Sequence, residues 1–110
     1  MSAIEQQIAL RCARRDGLRA QLDNVVYSIY RPLVIPALGD MRKYGQGRVL
    51  RGGFYPVDDI FSAILRAWPL ARAHLRKDEL SSVLRKMGEE GLISMTRDES
   101  DQGYFNLRTR

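Results

Sequence analysis

The sequence predicts a mainly α chain with a small β-hairpin. Three observations carry that expectation. Leu80, Val83, Leu84 and Met87 fall at i, i+3, i+4 and i+7, the spacing of one buried helix face. Gly88 and Gly91 stop that helix, and an apolar run, Leu92-Ile93-Ser94-Met95-Thr96, begins at once. A polar turn from Arg97 to Gly103 then leads into a second short run, Tyr104-Phe105-Asn106-Leu107, as a hairpin requires.

The elements follow in order. Residues 3–15 suit a helix, with Ser2 and Glu5 in capping-box spacing and Ile4, Ile8 and Cys12 on one face. Asp16-Gly17 punctuates the chain, and Asp16 is placed to cap a second helix. Leu18, Leu22, Val25, Val26 and Ile29 keep helical spacing up to Tyr30, and Pro32, which has no N–H to donate, is expected to end or kink that helix. A continuous seam through 4, 8, 11, 15, 18, 22, 25 and 29 would put Arg11 and Arg15 at coiled-coil core positions, which argues against one.

Leu33-Val34-Ile35-Pro36 is apolar, and Ala37 to Lys43 has room for a helical turn or two. Residues 44–53, YGQGRVLRGG, read as a loop or hairpin in which Val49-Leu50 is a possible short strand; their glycine spacing fits no phosphate-cradling loop. A helix over 57–68 follows, with Pro56 at its first position and Asp58 and Asp59 in its positive first turn. Val57, Ile60, Phe61, Ile64, Leu65 and Trp68 form its apolar stripe, and Pro69 stops it. The helix of the Leu80–Met87 face covers 76–88.

The chain has 110 residues, the size of one domain. Its single cysteine and single histidine exclude an internal disulfide and the usual four-ligand zinc frameworks. No apolar run approaches the ~18 residues of a membrane span, and the N-terminus is too polar for a signal peptide. The expected compartment is the cytoplasm, and no cofactor or small-molecule ligand is expected. No set of acid, base and nucleophile suggests an enzyme. The net charge is +5, from 15 Arg and 3 Lys against 13 acids. Arginine's planar fork suits phosphates and guanine edges, so nucleic acid is a natural partner.

Residues 75–107, LRKDELSSVLRKMGEEGLISMTRDESDQGYFNL, resemble the C-terminal half of a winged helix-turn-helix domain. Leu84, Met87, Gly91, Leu92 and Ile93 occupy the places of that family's closing phrase, Leu-x-x-Leu-x-x-x-Gly-Leu-Ile. The resemblance implies that 57–68 is the first helix of the turn motif, after a short strand near Gly52-Gly53-Phe54, and that 76–88 is the recognition helix. It makes 92–96 and 104–107 the wing strands and the helix near 18–30 the domain's opening helix. The chain then divides into N-terminal helices over 1–36, a glycine-rich loop over 37–56 with a possible short strand, and the helix-turn-helix plus wing over 57–110. Two departures stand out. Gly88 sits inside the closing helical turn, which is expected to fray, and the connection from Trp68 to Leu75 is longer than a compact turn.

A recognition helix binds double-stranded DNA because an α-helix fits the major groove and its N-terminal side chains meet base edges. The solvent side of 76–88 holds Arg76, Lys77, Ser81, Ser82, Arg85 and Lys86, with Arg72 just before it and Arg97 in the wing. These eight residues are the expected DNA contacts. The wing is acidic, with a net charge of −4 over residues 88–103, where a minor-groove wing should be positive. The expected function is therefore a small dimeric transcriptional regulator. Its surplus apolar residues, Leu18, Leu22, Val25, Val26, Ile29 and Leu33 to Ile35, are expected to pair the N-terminal helices as a homodimer. With the sequence ending at Arg110, regulation, if any, is expected to act through oligomerisation, a partner or protein level. The alternative is a protein-interaction module of the same fold that never touches DNA.

Overall fold

The computed structural model describes residues 2–17, 22–45 and 53–107. Four helices and three strands follow in the order α1 (Ala3–Gly17), α2 (Leu22–Tyr44), β1 (Tyr55–Pro56), α3 (Val57–Ala67), α4 (Lys77–Glu89), β2 (Ile93–Arg97) and β3 (Gly103–Leu107). The architecture is mainly helical, with one small antiparallel sheet. Leu18, the side chains of Asp16 and Leu22, Val49-Leu50 and Gly52 lie outside the described residues, and with them the readings that rest on them.

Helix α1 starts at the expected capping box. The Glu5 N–H donates to Ser2 Oγ at 3.1 Å, and the Ser2 hydroxyl donates to Glu5 Oε1 at 3.0 Å. Its inward face is Ile8, Cys12 and Arg15; Ile4, expected on that face, is exposed.

Helix α2 corrects the largest expectation. It does not end at Pro32, and the boundary drawn between residues 36 and 37 falls inside it; it runs through Pro32 and Pro36 to Tyr44. Burial decides this. Two interior prolines cost about 3 kcal/mol each, whereas Leu33, Val34, Leu38 and Met41, all beyond the first proline, are fully buried and contribute about 1.5–3 kcal/mol each. Both prolines are on the exposed side. Pro32 also leaves the Ser28 carbonyl without its intrahelical N–H donor, and the Arg11 guanidinium of α1 donates to that oxygen at 2.6 Å.

Pro56 ends β1 and caps α3 with extended backbone instead of opening the helix. Asp58 and Asp59 lie in the first turn of α3 as expected. The long connection to α4 is itself folded. A 3-10 turn spans Pro69–Ala71, and the His74 and Leu75 N–H groups both donate to the Ala71 carbonyl. Ala71 and Leu75 are buried.

Helix α4 ends as the glycine stop predicts. Gly91 has φ +76°, the Leu92 N–H donates to Met87 O at 2.9 Å and the Gly91 N–H donates to Gly88 O at 3.1 Å, which together make a Schellman cap. Gly88 does not fray this turn; it is helical, and β2 crosses close by it. A Cβ at Gly88 would stand 3.0 Å from Met95 Cβ, so a larger residue there would push Met95 back by a few tenths of an ångström.

The strand order is β1-β3-β2, with Tyr55 opposite Phe105 and Met95 opposite Phe105 on the other side. One core joins α2, α3, α4 and the sheet, around Tyr30, Leu38, Ile60, Ile64, Leu84 and Phe105. Ile93 is buried in it, while Leu92, Phe61 and Trp68 are half-buried at its edge.

Candidate nucleic-acid interface

Helix α4 buries Leu80, Val83, Leu84 and Met87. The opposite side is therefore turned outward. Lys77, Asp78, Ser82, Lys86 and Glu89 are exposed and Ser81 and Arg85 half-buried. Arg76, also exposed, is the N-cap residue. Arg72 is exposed in the turn between the 3-10 segment and α4, on a stretch that leans against α1.

The start of α4 is held from inside. Arg76 supplies no side-chain cap. Its N–H donates to the Tyr30 hydroxyl at 2.7 Å, and that hydroxyl donates to Glu79 Oε1 at 2.7 Å. Glu79 stands at the third helical position, from which a capping-box carboxylate reaches back to the N-cap N–H. Here the tyrosine of α2 stands between them and relays the bond. Arg15 completes the cluster: its Nη1 lies 2.7 Å from Glu79 Oε1, with side chains only 4% and 13% exposed, and it donates to His74 O at 3.0 Å. Burial of the ring, reinforced by the Glu79 carboxylate, pushes the Tyr30 phenol well above its ordinary range. Glu79 is thereby turned away from the outer face of α4.

Lys77, Arg85, Lys86 and Arg97 each have a neighbour. Lys77 Nζ lies 2.9 Å from Asp58 Oδ1, both side chains more than half exposed, so the pair contributes little to stability. Arg85 Nη2 donates to the Asp101 carbonyl at 3.3 Å, which sets the hairpin turn beside the middle of α4. Arg97 lies 3.3 Å from the Asp101 carboxylate. Lys86 Nζ sits 4.4 Å from the centre of the Tyr27 ring on α2, with the Arg31 guanidinium 5.8 Å from the same centre. The Tyr27 hydroxyl donates to Glu90 Oε2 at 2.9 Å; partial burial and that carboxylate raise its pKa.

The hairpin turn is rigidly built. Asp98 Oδ1 accepts the Ser100 N–H, the Ser100 hydroxyl and the Gln102 N–H, each at 2.9 Å, and Oδ2 accepts the Tyr104 hydroxyl at 3.0 Å. These bonds, the Gln102 amide first, hold the Asp98 carboxyl below its usual range. Asp101 takes a left-handed φ of 64° to close the turn. Asp98, Glu99 and Asp101 are all exposed, so this tip presents negative charge.

Lys77, Ser81 and Arg85 thus form one row on the outer surface of α4 and Ser82 and Lys86 a second, and Arg97 joins the first through Asp101. Sequence reasoning missed Tyr27 and Arg31, which stand beside Lys86. Their i, i+4 spacing on α2 was the available signal, but nothing local ties α2 to α4. His74 is exposed and Cys12 fully buried. Among the described residues, no group of three His, Cys, Asp or Glu could hold a metal ion, and no helix is long and apolar enough to cross a membrane. Comparison with protein-family models, with curated proteins and with solved structures gives no match.

Proposed function

We propose that this chain is a winged helix-turn-helix protein that binds double-stranded DNA, with α4 entering the major groove. The observation that carries the reading is the outer side of α4, which displays Lys77, Ser81, Ser82, Arg85 and Lys86. The element order supports it: α2 as opening helix, β1, α3 and α4 as the turn motif, then a hairpin whose second strand pairs with β1. In this reading Lys77 and Ser81, near the start of α4, meet base edges. Arg72, Arg76 and Lys86 neutralise phosphates, whereas Arg97 is held back on the Asp101 carboxylate of the wing. Asp78, exposed in the same half of α4, offers an acceptor for a cytosine amino group. The regulator acts as a homodimer on paired half-sites. Of the described apolar residues first assigned to that pairing, Val25, Val26, Ile29, Leu33 and Val34 are buried within one chain and Ile35 alone is exposed. The pairing surface is instead sought around the exposed Ile4 and Leu10 of α1 and Ile35 of α2.

The test is the double substitution Lys77→Ala/Arg85→Ala, assayed by duplex binding and thermal melting. Weakened duplex binding with a nearly unchanged Tm is expected. Intact affinity would remove α4 from the interface. The second reading, a protein-interaction module of this fold, is favoured by one observation, the acidic hairpin tip, and that result would promote it.

A further inference from the structure

A helix about 10–12 Å across nearly fills a major groove about 12 Å wide, so one phosphate row runs along each of its flanks. The two flanks of α4 differ in charge. Arg85 and Lys86 are consecutive and so point roughly 100° apart around the helix. Arg85 leans toward the hairpin and Lys86 toward α2. On the hairpin flank, Arg85 with the turn residues Arg97, Asp98, Glu99 and Asp101 sums to −1, and Arg97 is drawn back onto Asp101. On the α2 flank, Lys86 and Arg31 gather on the Tyr27 ring, 4.4 and 5.8 Å from its centre. Even with Glu90, which the Tyr27 hydroxyl engages, that group sums to +1. A cleft of about 320 Å³ opens there between the helices, lined by Val26, Tyr27, Ser82, Val83 and Lys86.

We infer that the duplex is anchored on the α2 flank, with Arg31 and Lys86, held by the Tyr27 ring, gripping one row of DNA phosphates, and that the acidic wing is a spacer rather than a groove-binding arm. The inference rests on the DNA-binding reading and adds to it Arg31 and Tyr27 of α2. The ring matters because it collects two long, exposed side chains before DNA arrives, which lowers the ordering entropy lost on binding. The cleft leaves a phosphate oxygen room to approach Lys86 and the Ser82 hydroxyl together.

The experiment compares four chains, the unaltered protein, Arg31→Gln/Lys86→Gln, Lys86→Arg and Arg97→Gln, by fluorescence anisotropy with a labelled random duplex over a salt series. Circular dichroism confirms that each is folded. The double substitution is expected to weaken binding at least tenfold at low salt and to flatten the slope of log affinity against log salt by about two units, close to 0.9 per lost phosphate contact. Lys86→Arg is expected to keep the full slope, and Arg97→Gln to change affinity less than threefold. If the unaltered chain binds and the double substitution leaves affinity and slope unchanged, the anchoring flank is wrong while DNA binding stands. A loss for Arg97→Gln as large as that of the double substitution also overturns the inference, because the wing would then be an anchor. If the unaltered chain does not bind duplex even at low salt, the DNA reading fails and takes this inference with it.

Discussion

Arg15 and Glu79 lie 64 positions apart in the chain and 2.7 Å apart in the fold. Their pairing fixes the start of α4, because Glu79 also accepts the hydrogen bond of the Tyr30 hydroxyl and that hydroxyl accepts the Arg76 N–H. Removing one partner of a buried pair leaves the other charge uncompensated. Arg15→Ala should therefore cost about 3–5 kcal/mol, read by urea denaturation; a loss under about 1 kcal/mol would mean the cluster does not hold α4. Tyr30 sets a second expectation. Its folded pKa is raised, so its contribution is fully present below the unfolded value near 10 and is lost as pH rises above it. Stability should fall on the alkaline side of about pH 10, and Tyr30→Phe should flatten that decline. An identical alkaline limb in the variant would contradict the assignment. None of this was legible in the sequence. Arg15 read only as an awkward seam residue and Glu79 carried no reading, because polar partners across the fold leave no period in the chain.

At the scale of elements, legibility followed locality. The α4 face, the glycine stop and the return strand were read correctly because each is encoded by neighbours within a few residues, as Gly91 and Leu92 are in closing the helix on Met87. Helix α2 was misread because its outcome is set by burial from elsewhere. Pro32 is a local stop, and it is overridden by packing of Leu33, Val34, Leu38 and Met41. The bond from Arg11 to the Ser28 carbonyl makes this testable. Arg11→Ala should cost about 1 kcal/mol in the natural chain. It should cost much less in a Pro32→Ala background, where the residue-32 amide can serve that carbonyl. A double-substitution cycle by chemical denaturation should show coupling of about 0.5–1 kcal/mol. Additive losses would mean that Arg11 does not compensate for the proline. Gly88 illustrates the same limit: locally it is a weak helix former, and the close crossing of Met95 is visible only in the fold.

At the scale of the whole molecule, β1 closes the sheet through two residues paired with β3, a link too short to leave an alternating pattern. The fold class could be read, but the strand order β1-β3-β2 could not. The candidate site divided in the same way. The α4 residues followed from periodicity, whereas Tyr27 and Arg31 needed the packing of α2 beside α4. Burial of the opening helices' apolar residues inside one chain also moves the expected dimer surface to α1 and the outer side of α2. Sedimentation at tens of micromolar should give the mass of two chains, and Leu10→Glu, at a position 72% exposed, should shift it to one. A single-chain mass at every concentration would remove the dimer from the account.

The central claim is that the outer side of α4 binds the phosphate-lined major groove of a duplex. The salt dependence of duplex binding by the unaltered chain tests it most directly, because each phosphate neutralised by Lys or Arg releases counterions. With Arg31, Arg72, Arg76, Arg85 and Lys86 on phosphates, log affinity should fall against log salt with a slope of about −4 to −5. Absence of binding at low salt, or binding whose affinity does not change with salt, would contradict the account.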